Sequence, residues 1–155
     1  KEGMKMQPPV TFAEWSDLFD RLKENGYEEE LLEAAYGGTF KWEPGSSELW
    51  AEDLAEVLKV RIEMARKRFD RDFSHSRGNE GAIVRSLTQL KRDLKYALKL
   101  SQLPCIPDEQ KPLYSDIVLK AAEQFASSLE SSAKSEDRSG KLSVLVKRAD
   151  ISNLN

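Results

Sequence analysis

Residues 80–102 carry the clearest periodic pattern of this chain and read EGAIVRSLTQLKRDLKYALKLSQ. Their apolar side chains recur every three or four positions and share one side of a helical wheel: Ile83, Leu87, Leu90, Leu94, Ala97 and Leu98. Because an α-helix has about 3.6 residues per turn, this spacing is typical of an amphipathic helix with one buried face. The sequence therefore predicts a helix from about Glu80 to Gln102.

The segments on both sides predict further helices. Upstream, Ser46 or Ser47 can cap a helix that reaches about Phe73, with an apolar face formed by Trp50, Leu54, Val57, Leu58, Ile62, Ala65, Phe69 and Phe73. Downstream, Pro104 and Pro107 interrupt the pattern, and a helix is predicted from near Asp108 with Leu113, Ile117, Ala121, Phe125 and Leu129 on its apolar side.

The N-terminal third predicts two shorter helices. Thr11 and Glu14 have the spacing of a capping box, and Gly26 suits the left-handed residue that ends a helix. A second short helix is predicted over about 28–36. With no strand pattern elsewhere, we expect an all-α fold, an irregular bundle of four to five helices with two long central helices.

The length of 155 residues is that of a single domain. We expect residues 1–135 to form one helical domain and residues 136–155 to form a C-terminal tail, either flexible or paired with a partner. Within that tail, Leu142 to Val146 fits a short strand, because it is rich in β-branched residues, or an added helical turn.

Composition argues against several classes of protein. No apolar run approaches the roughly 20 residues that span a bilayer, and residues 1–9 do not resemble a signal peptide. One cysteine, Cys105, cannot form a disulfide within one chain, so we expect a reducing cytoplasm. One histidine, His75, and no glycine-rich phosphate loop leave no set of ligands for a metal or cofactor, and we expect none.

Charge is divided unevenly along the chain. Residues 11–54 hold twelve acids and three bases, whereas residues 55–100 hold twelve bases and six acids, although the formal net charge is only −3. In the predicted 80–102 helix, Arg85, Arg92 and Lys99 repeat every seven residues almost opposite the apolar arc, with Lys91 and Lys95 beside them. Arg66, Lys67 and Arg71 of the preceding helix could extend these residues into a basic strip.

The predicted strip fits more than one partner. It is long enough to follow a phosphate backbone, but it fits an acidic patch of a protein, or the acidic N-terminal third of a second copy, equally well. A solvated helix face is the alternative without a partner. The acidic composition, and Tyr96 as the only nearby aromatic, count against nucleic acid. Phe40 and Trp42, in a turn between the predicted helices, form a second candidate contact surface.

Two arginines of the predicted 46–73 helix, Arg61 and Arg68, fall inside its apolar arc. Each could lie at the edge of the arc with its head in water, or pair with a buried acid. In the second case the expected partners are acids of the first two helices, and part of the charge division would then be satisfied inside the fold.

Arg68 and His75 have an Arg-x6-His spacing on a helical scaffold. In this spacing and in helical class the chain resembles the HEPN ribonucleases, and the resemblance implies a catalytic pair at a dimer cleft. It departs from the family pattern at Phe69, where a polar residue is usual. The structural alternative is that His75 ends its helix by binding a free carbonyl group.

These observations together predict a non-catalytic cytoplasmic interaction or regulatory module that binds a protein partner. Long helices with wide apolar arcs also make self-association a reasonable expectation. The alternatives are an accessory protein that binds nucleic acid through the basic strip, and a HEPN-like ribonuclease.

Overall fold

Four α-helices form the regular structure of the described residues. The computed structural model describes residues 14, 16, 17, 20, 21, 24–26, 46–76, 78–102, 106–136 and 139–155. The helices are α1 (Ser46–Ser74), α2 (Glu80–Ser101), α3 (Lys111–Glu136) and α4 (Lys141–Ala149), and no strand occurs in these ranges. The prediction of an all-α helical bundle is confirmed.

Helices α1 and α2 form an antiparallel hairpin, and hydrogen bonds stabilise the short turn between them. Gly78 adopts a left-handed conformation at φ 79°, and the side chain of Asn79 accepts a hydrogen bond from Ala82 N, which caps α2. Inside the turn, the Ser76 hydroxyl donates to Asp72 O at 2.5 Å and lies 3.4 Å from Ser86 Oγ. The Ser86 hydroxyl donates to Ala82 O at 3.1 Å, so both buried hydroxyl groups have a backbone acceptor.

The core consists largely of the apolar arcs that the sequence predicts. The largest side chains that are almost completely buried come from α1, α2 and the α2–α3 turn: Leu54, Leu58, Leu87, Leu90, Leu94, Leu100 and Ile106. Burying one such side chain contributes about 1.5–3 kcal/mol, so this layer is the main stabilising element of the fold.

Helix α3 packs against both helices of the hairpin. Its N-terminus lies at Lys111, three residues later than predicted, because residues 108–110 form a turn in which Gln110 N and Lys111 N both donate to Pro107 O. Leu113, predicted in the apolar arc, is 67% exposed because it lies about 140° around α3 from the buried Val118, on the outer side of the helix. The buried pair Ser101 and Ser115, with hydroxyls 3.3 Å apart, joins α2 to α3.

The segment predicted as a C-terminal tail packs on the bundle instead. Residues 141–149 form α4, which contacts α2 and α3, and Val146, Ile151 and Leu154 are all buried. Of the two alternatives predicted for Leu142 to Val146, the helix is confirmed and the short strand is wrong, and these residues pack on the bundle and do not form a loose tail. Leu142, Leu145, Val146 and Ala149 recur at helical spacing and all pack into the core, which outweighs the β-branched character of this segment.

Part of the predicted first helix is also described. Glu14, Ser16, Asp17, Asp20, Arg21 and Glu24 are helical, and Gly26 follows with φ 85°, as its predicted role in ending the helix requires. The predicted 28–36 helix, Phe40, Trp42 and Cys105 lie outside the described residues.

Candidate functional site

One face of α2 gathers exposed cations. Arg85, Thr88, Arg92 and Lys99 are exposed and Lys95 is half-buried. At about 100° per residue these five positions span only about 80° of the helix, nearly opposite the buried Leu87, Leu90 and Leu94. Arg85 and Lys99 are separated by about 21 Å along the axis. We call Arg85, Thr88, Arg92, Lys95 and Lys99 the α2 basic face.

The acids of α2 point away from this face. Glu80 Oε1 lies 3.5 Å from Lys141 Nζ of α4, and Asp93 lies between Gln89, at 2.9 Å, and Arg68 of α1, at 3.7 Å. Within the described part of the chain, Arg85, Arg92 and Lys95 form no ion pair. These three cations of the face therefore present positive charge that no carboxylate among the described residues neutralises.

The predicted cations of α1 are arranged differently. Arg66 binds Glu63 and, at 3.0 Å, Asp70, and Arg71 Nε lies 3.2 Å from Asp72 Oδ1. The hydrogen bond from Arg66 holds the pKa of Glu63 below its usual value, and the same bond raises the pKa of Arg66. All these groups are exposed, so the pairs add little stability.

Arg66 also does not lie on the side of α1 that faces α2, the helix that carries the basic face. Arg68 is the residue of α1 that reaches Asp93 of α2, and Arg66, two positions earlier, lies about 160° around the helix from it. Lys67 is exposed. The structure therefore does not bring Arg66 into one strip with the α2 basic face.

Helix α4 adds a cation that the sequence prediction missed. Arg148 is exposed and has no ion-pair partner among the residues described, and Lys91 Nζ donates to Ala149 O at 3.2 Å, which fixes the end of α4 beside α2. The i, i+3, i+4, i+7 spacing of Leu142, Leu145, Val146 and Ala149 was the signal that could have identified this helix.

Arg61 has an interior role. Its Nη1 donates to Asp20 Oδ1 at 2.8 Å, its Nη2 lies 2.5 Å from Asp20 Oδ2, and its Nε donates to Ser16 Oγ at 2.8 Å. The guanidinium lies 4.7 Å from the centre of the Tyr96 ring, whose hydroxyl donates to Asp20 Oδ1 at 3.1 Å. The side chain of Arg61 is only 14% exposed. The sequence left two alternatives for Arg61, a water-exposed head or an acidic partner. Pairing with an acid is confirmed, and the acid, Asp20, belongs to the helical residues that precede α1 in the chain.

The same cluster removes Tyr96 from the surface. Its side chain is buried at 5% exposure by contact with Arg61 and Asp20. The only aromatic that the sequence placed near the basic strip is therefore directed into the fold and cannot stack on a base.

Arg68 lies in the last two turns of α1, His75 directly follows the helix, and each has a contact close to it in the fold. The Arg68 side chain is 51% exposed at the edge of the helix, 3.7 Å from Asp93. His75 Nδ1 lies 2.6 Å from Arg71 O, a carbonyl that also accepts from the backbone N–H of His75. The helix-ending contact predicted for His75 is confirmed.

The described residues were also searched for groups of metal ligands and for helices that could cross a membrane, and the chain was compared with known proteins. In the described ranges no three His, Cys, Asp or Glu side chains gather in a way that could hold a metal ion. None of the four helices combines the length and apolar character needed to cross a membrane. Comparison of the chain with protein-family models, with curated proteins and with solved structures finds no match.

Proposed function

We propose that this chain is a cytoplasmic helical binding module that docks an acidic surface of a protein partner on the α2 basic face. The observation that carries the proposal is the row of Arg85, Arg92 and Lys95, which has no carboxylate partner within the described residues. A cation without a local acid gains most from the opposite charge of another molecule.

A protein partner is favoured over nucleic acid by what surrounds these cations. Tyr96 is buried, so the face offers no described aromatic for base stacking. The formal net charge of −3 opposes a long polyanion, whereas a protein partner need carry only a local acidic patch. Val84, 43% exposed beside the face, adds apolar surface of the kind that protein interfaces cover.

The test uses two charge-matched variants of the whole chain. The first is Arg85→Glu/Arg92→Glu/Lys95→Glu; the second, on α1 and α3, is Lys59→Glu/Lys120→Glu/Lys134→Glu. Three reversals of two charges each take the formal net charge from −3 to −9 in both variants. The probes are a designed acidic helical peptide with glutamates seven residues apart and a single-stranded RNA, each followed by fluorescence anisotropy at low and near-physiological salt.

The proposal predicts that the peptide binds, that salt weakens binding, and that only the first variant loses it. Loss in both variants would mean that net charge and not the face governs binding, which contradicts the proposal. Preference for the RNA over the peptide would establish the nucleic-acid alternative. Cutting of the RNA, abolished by His75→Ala, would establish the ribonuclease alternative.

Regulation and self-association stay predictions of the sequence. They rest on the charge division and the helix lengths, and sedimentation of the purified chain over a range of concentrations tests self-association directly.

A further inference from the structure

Helix α4 lies alongside α2, and the two helices are parallel. One contact fixes each end: Lys141 Nζ lies 3.5 Å from Glu80 Oε1, and Lys91 Nζ donates to Ala149 O at 3.2 Å. The start of α4 is therefore level with the start of α2, and the end of α4 is level with the middle of α2.

An exposed valine lies on each helix beside the line of contact between α2 and α4, which we call the seam, and Val144 is on the outer side of α4, about 160° around the helix from the buried Val146. On α2, Val84 lies within about 40° of both Glu80 and Lys91, the residues that contact α4. On α4, Val144 lies within about 60° of Lys141, which contacts α2. Val84 is four residues after Glu80 and Val144 is three after Lys141, so they stand at nearly the same level. They are 43% and 52% exposed.

Cations border this apolar pair on both helices. Arg85 follows Val84 on the α2 basic face, and Arg92 lies two turns further along. Arg148 lies on the side of α4 directed to α2, because it is about 20° around the helix from Lys141, which contacts Glu80. Lys141 is engaged by Glu80. The outer side of the seam therefore carries two exposed valines, bordered by Arg85 and Arg92 on α2 and by Arg148 on α4, and these three arginines have no ion-pair partner among the described residues.

We propose that this seam receives an acidic amphipathic helix of a partner protein, with an apolar side chain on Val84 and Val144 and carboxylates on Arg85, Arg92 and Arg148. This inference rests on the proposed function and adds α4 to its site. Charge complementarity commits the partner to acidic character. The seven-residue spacing of Arg85 and Arg92, about 10.5 Å, is the repeat with which an aligned helix presents side chains of one face.

Two designed 21-residue helical peptides test the inference. Both carry the same glutamates seven residues apart; one has leucines along the neighbouring stripe and the other has alanines there. Each is titrated against the unmodified chain, against Val84→Ser/Val144→Ser, and against Val60→Ser/Leu119→Ser. The last variant changes exposed apolar side chains of α1 and α3 and is the matched control.

The inference predicts that the leucine peptide binds the unmodified chain about tenfold more tightly than the alanine peptide, because it covers additional apolar surface. In Val84→Ser/Val144→Ser the two affinities become equal, whereas the control keeps the tenfold difference. Arg148→Glu weakens both peptides severalfold, and circular dichroism shows that each variant retains its helices.

Failure of this inference differs from failure of the proposed function. Equal binding of the two peptides to the unmodified chain, lost in Arg85→Glu/Arg92→Glu/Lys95→Glu, overturns the role of the seam and leaves the α2 basic face as the binding site. If neither peptide binds, the proposed function is rejected and the seam is rejected with it.

Discussion

Arg61 of α1 and Arg92 of α2 carry the same guanidinium group on the two helices of one hairpin, but their surroundings are opposite. Arg61 is held by Asp20, Ser16 and the Tyr96 ring, and its side chain is 14% exposed. Arg92 is exposed and has no ion-pair partner in the described ranges. Because every interaction of Arg61 is internal, it serves the fold, whereas Arg92 remains available to another molecule.

This difference shows why charge counted along a sequence is a poor measure of binding surface. One of the twelve bases of residues 55–100 is satisfied by an acid 41 positions earlier, and Arg66 is satisfied by its own helix. What remains on the outside of α2 is smaller than the predicted strip, and its Arg85, Arg92 and Lys95 have no ion-pair partner among the described residues.

The largest expected effect is that of Arg61→Ala. Removing one partner of a buried ion pair costs about 3–5 kcal/mol, and because Asp20 remains 37% exposed we expect a loss of about 3 kcal/mol in the free energy of unfolding. Urea denaturation followed by circular dichroism measures it. A loss below about 0.5 kcal/mol, the usual range of surface substitutions, would mean that Arg61 contributes no more to stability than Arg92, and the difference between the two arginines would not hold.

The second prediction concerns α4. Arg148 of this helix lies near the α2 basic face only if α4 is packed against the bundle. Ile151→Ala truncates a side chain that is 1% exposed and should lower the free energy of unfolding by about 2 kcal/mol, the lower end for such truncations. The same denaturation experiment measures it, with Val144→Ala on the exposed side of α4 as control. Equal stability of Ile151→Ala and the unmodified chain would support a detached tail.

A smaller effect is expected for Tyr96→Phe, which removes one hydrogen bond to Asp20 and keeps the ring beneath Arg61. The net contribution of such a bond is about 1 kcal/mol. In a double-mutant cycle with Asp20→Asn the two losses should be less than additive, because the residues are in contact. Strict additivity would show that the cluster does not act as a unit.

The smallest effect is predicted for Arg92→Ala. An exposed arginine without a partner should change the free energy of unfolding by no more than about 0.5 kcal/mol, which thermal and urea denaturation can both check. A substantial loss of stability would mean that Arg92 supports the fold, and the assignment of the α2 basic face to binding would lose its basis.

Local pattern was sufficient to predict much of the fold. The arc from Ile83 to Leu98 gave α2 to within one residue at its C-terminus, since Asn79 and the turn fix its start and the apolar side chains fix its face. The spacing of Leu142, Leu145, Val146 and Ala149 also indicates helix α4, but the β-branched residues of the same segment left a short strand open as an alternative, and the segment was predicted as a tail.

Long-range pairing was beyond local pattern. The position of Arg61 in the apolar arc was compatible with a water-exposed head or with an acidic partner. Many acids precede Arg61 in the sequence, and only the packing of the helix that contains Ser16 and Asp20 selects Asp20. The pairing of Arg66 with Glu63 and Asp70 was different, because the i, i+3 and i, i+4 spacings are visible in the sequence. Attention to those spacings would have removed Arg66 from the predicted strip.

Nuclear magnetic resonance tests the division between interior and exterior cations most directly, by mapping backbone amide shifts as the acidic leucine peptide is added to the isotope-labelled chain. The account predicts shifts concentrated at residues 81–99 of α2 and along α4, with the amides of Ser16 and Arg61 unchanged. Shifts concentrated on α3, or spread evenly over the chain, would contradict the claim that the α2 basic face is the binding surface.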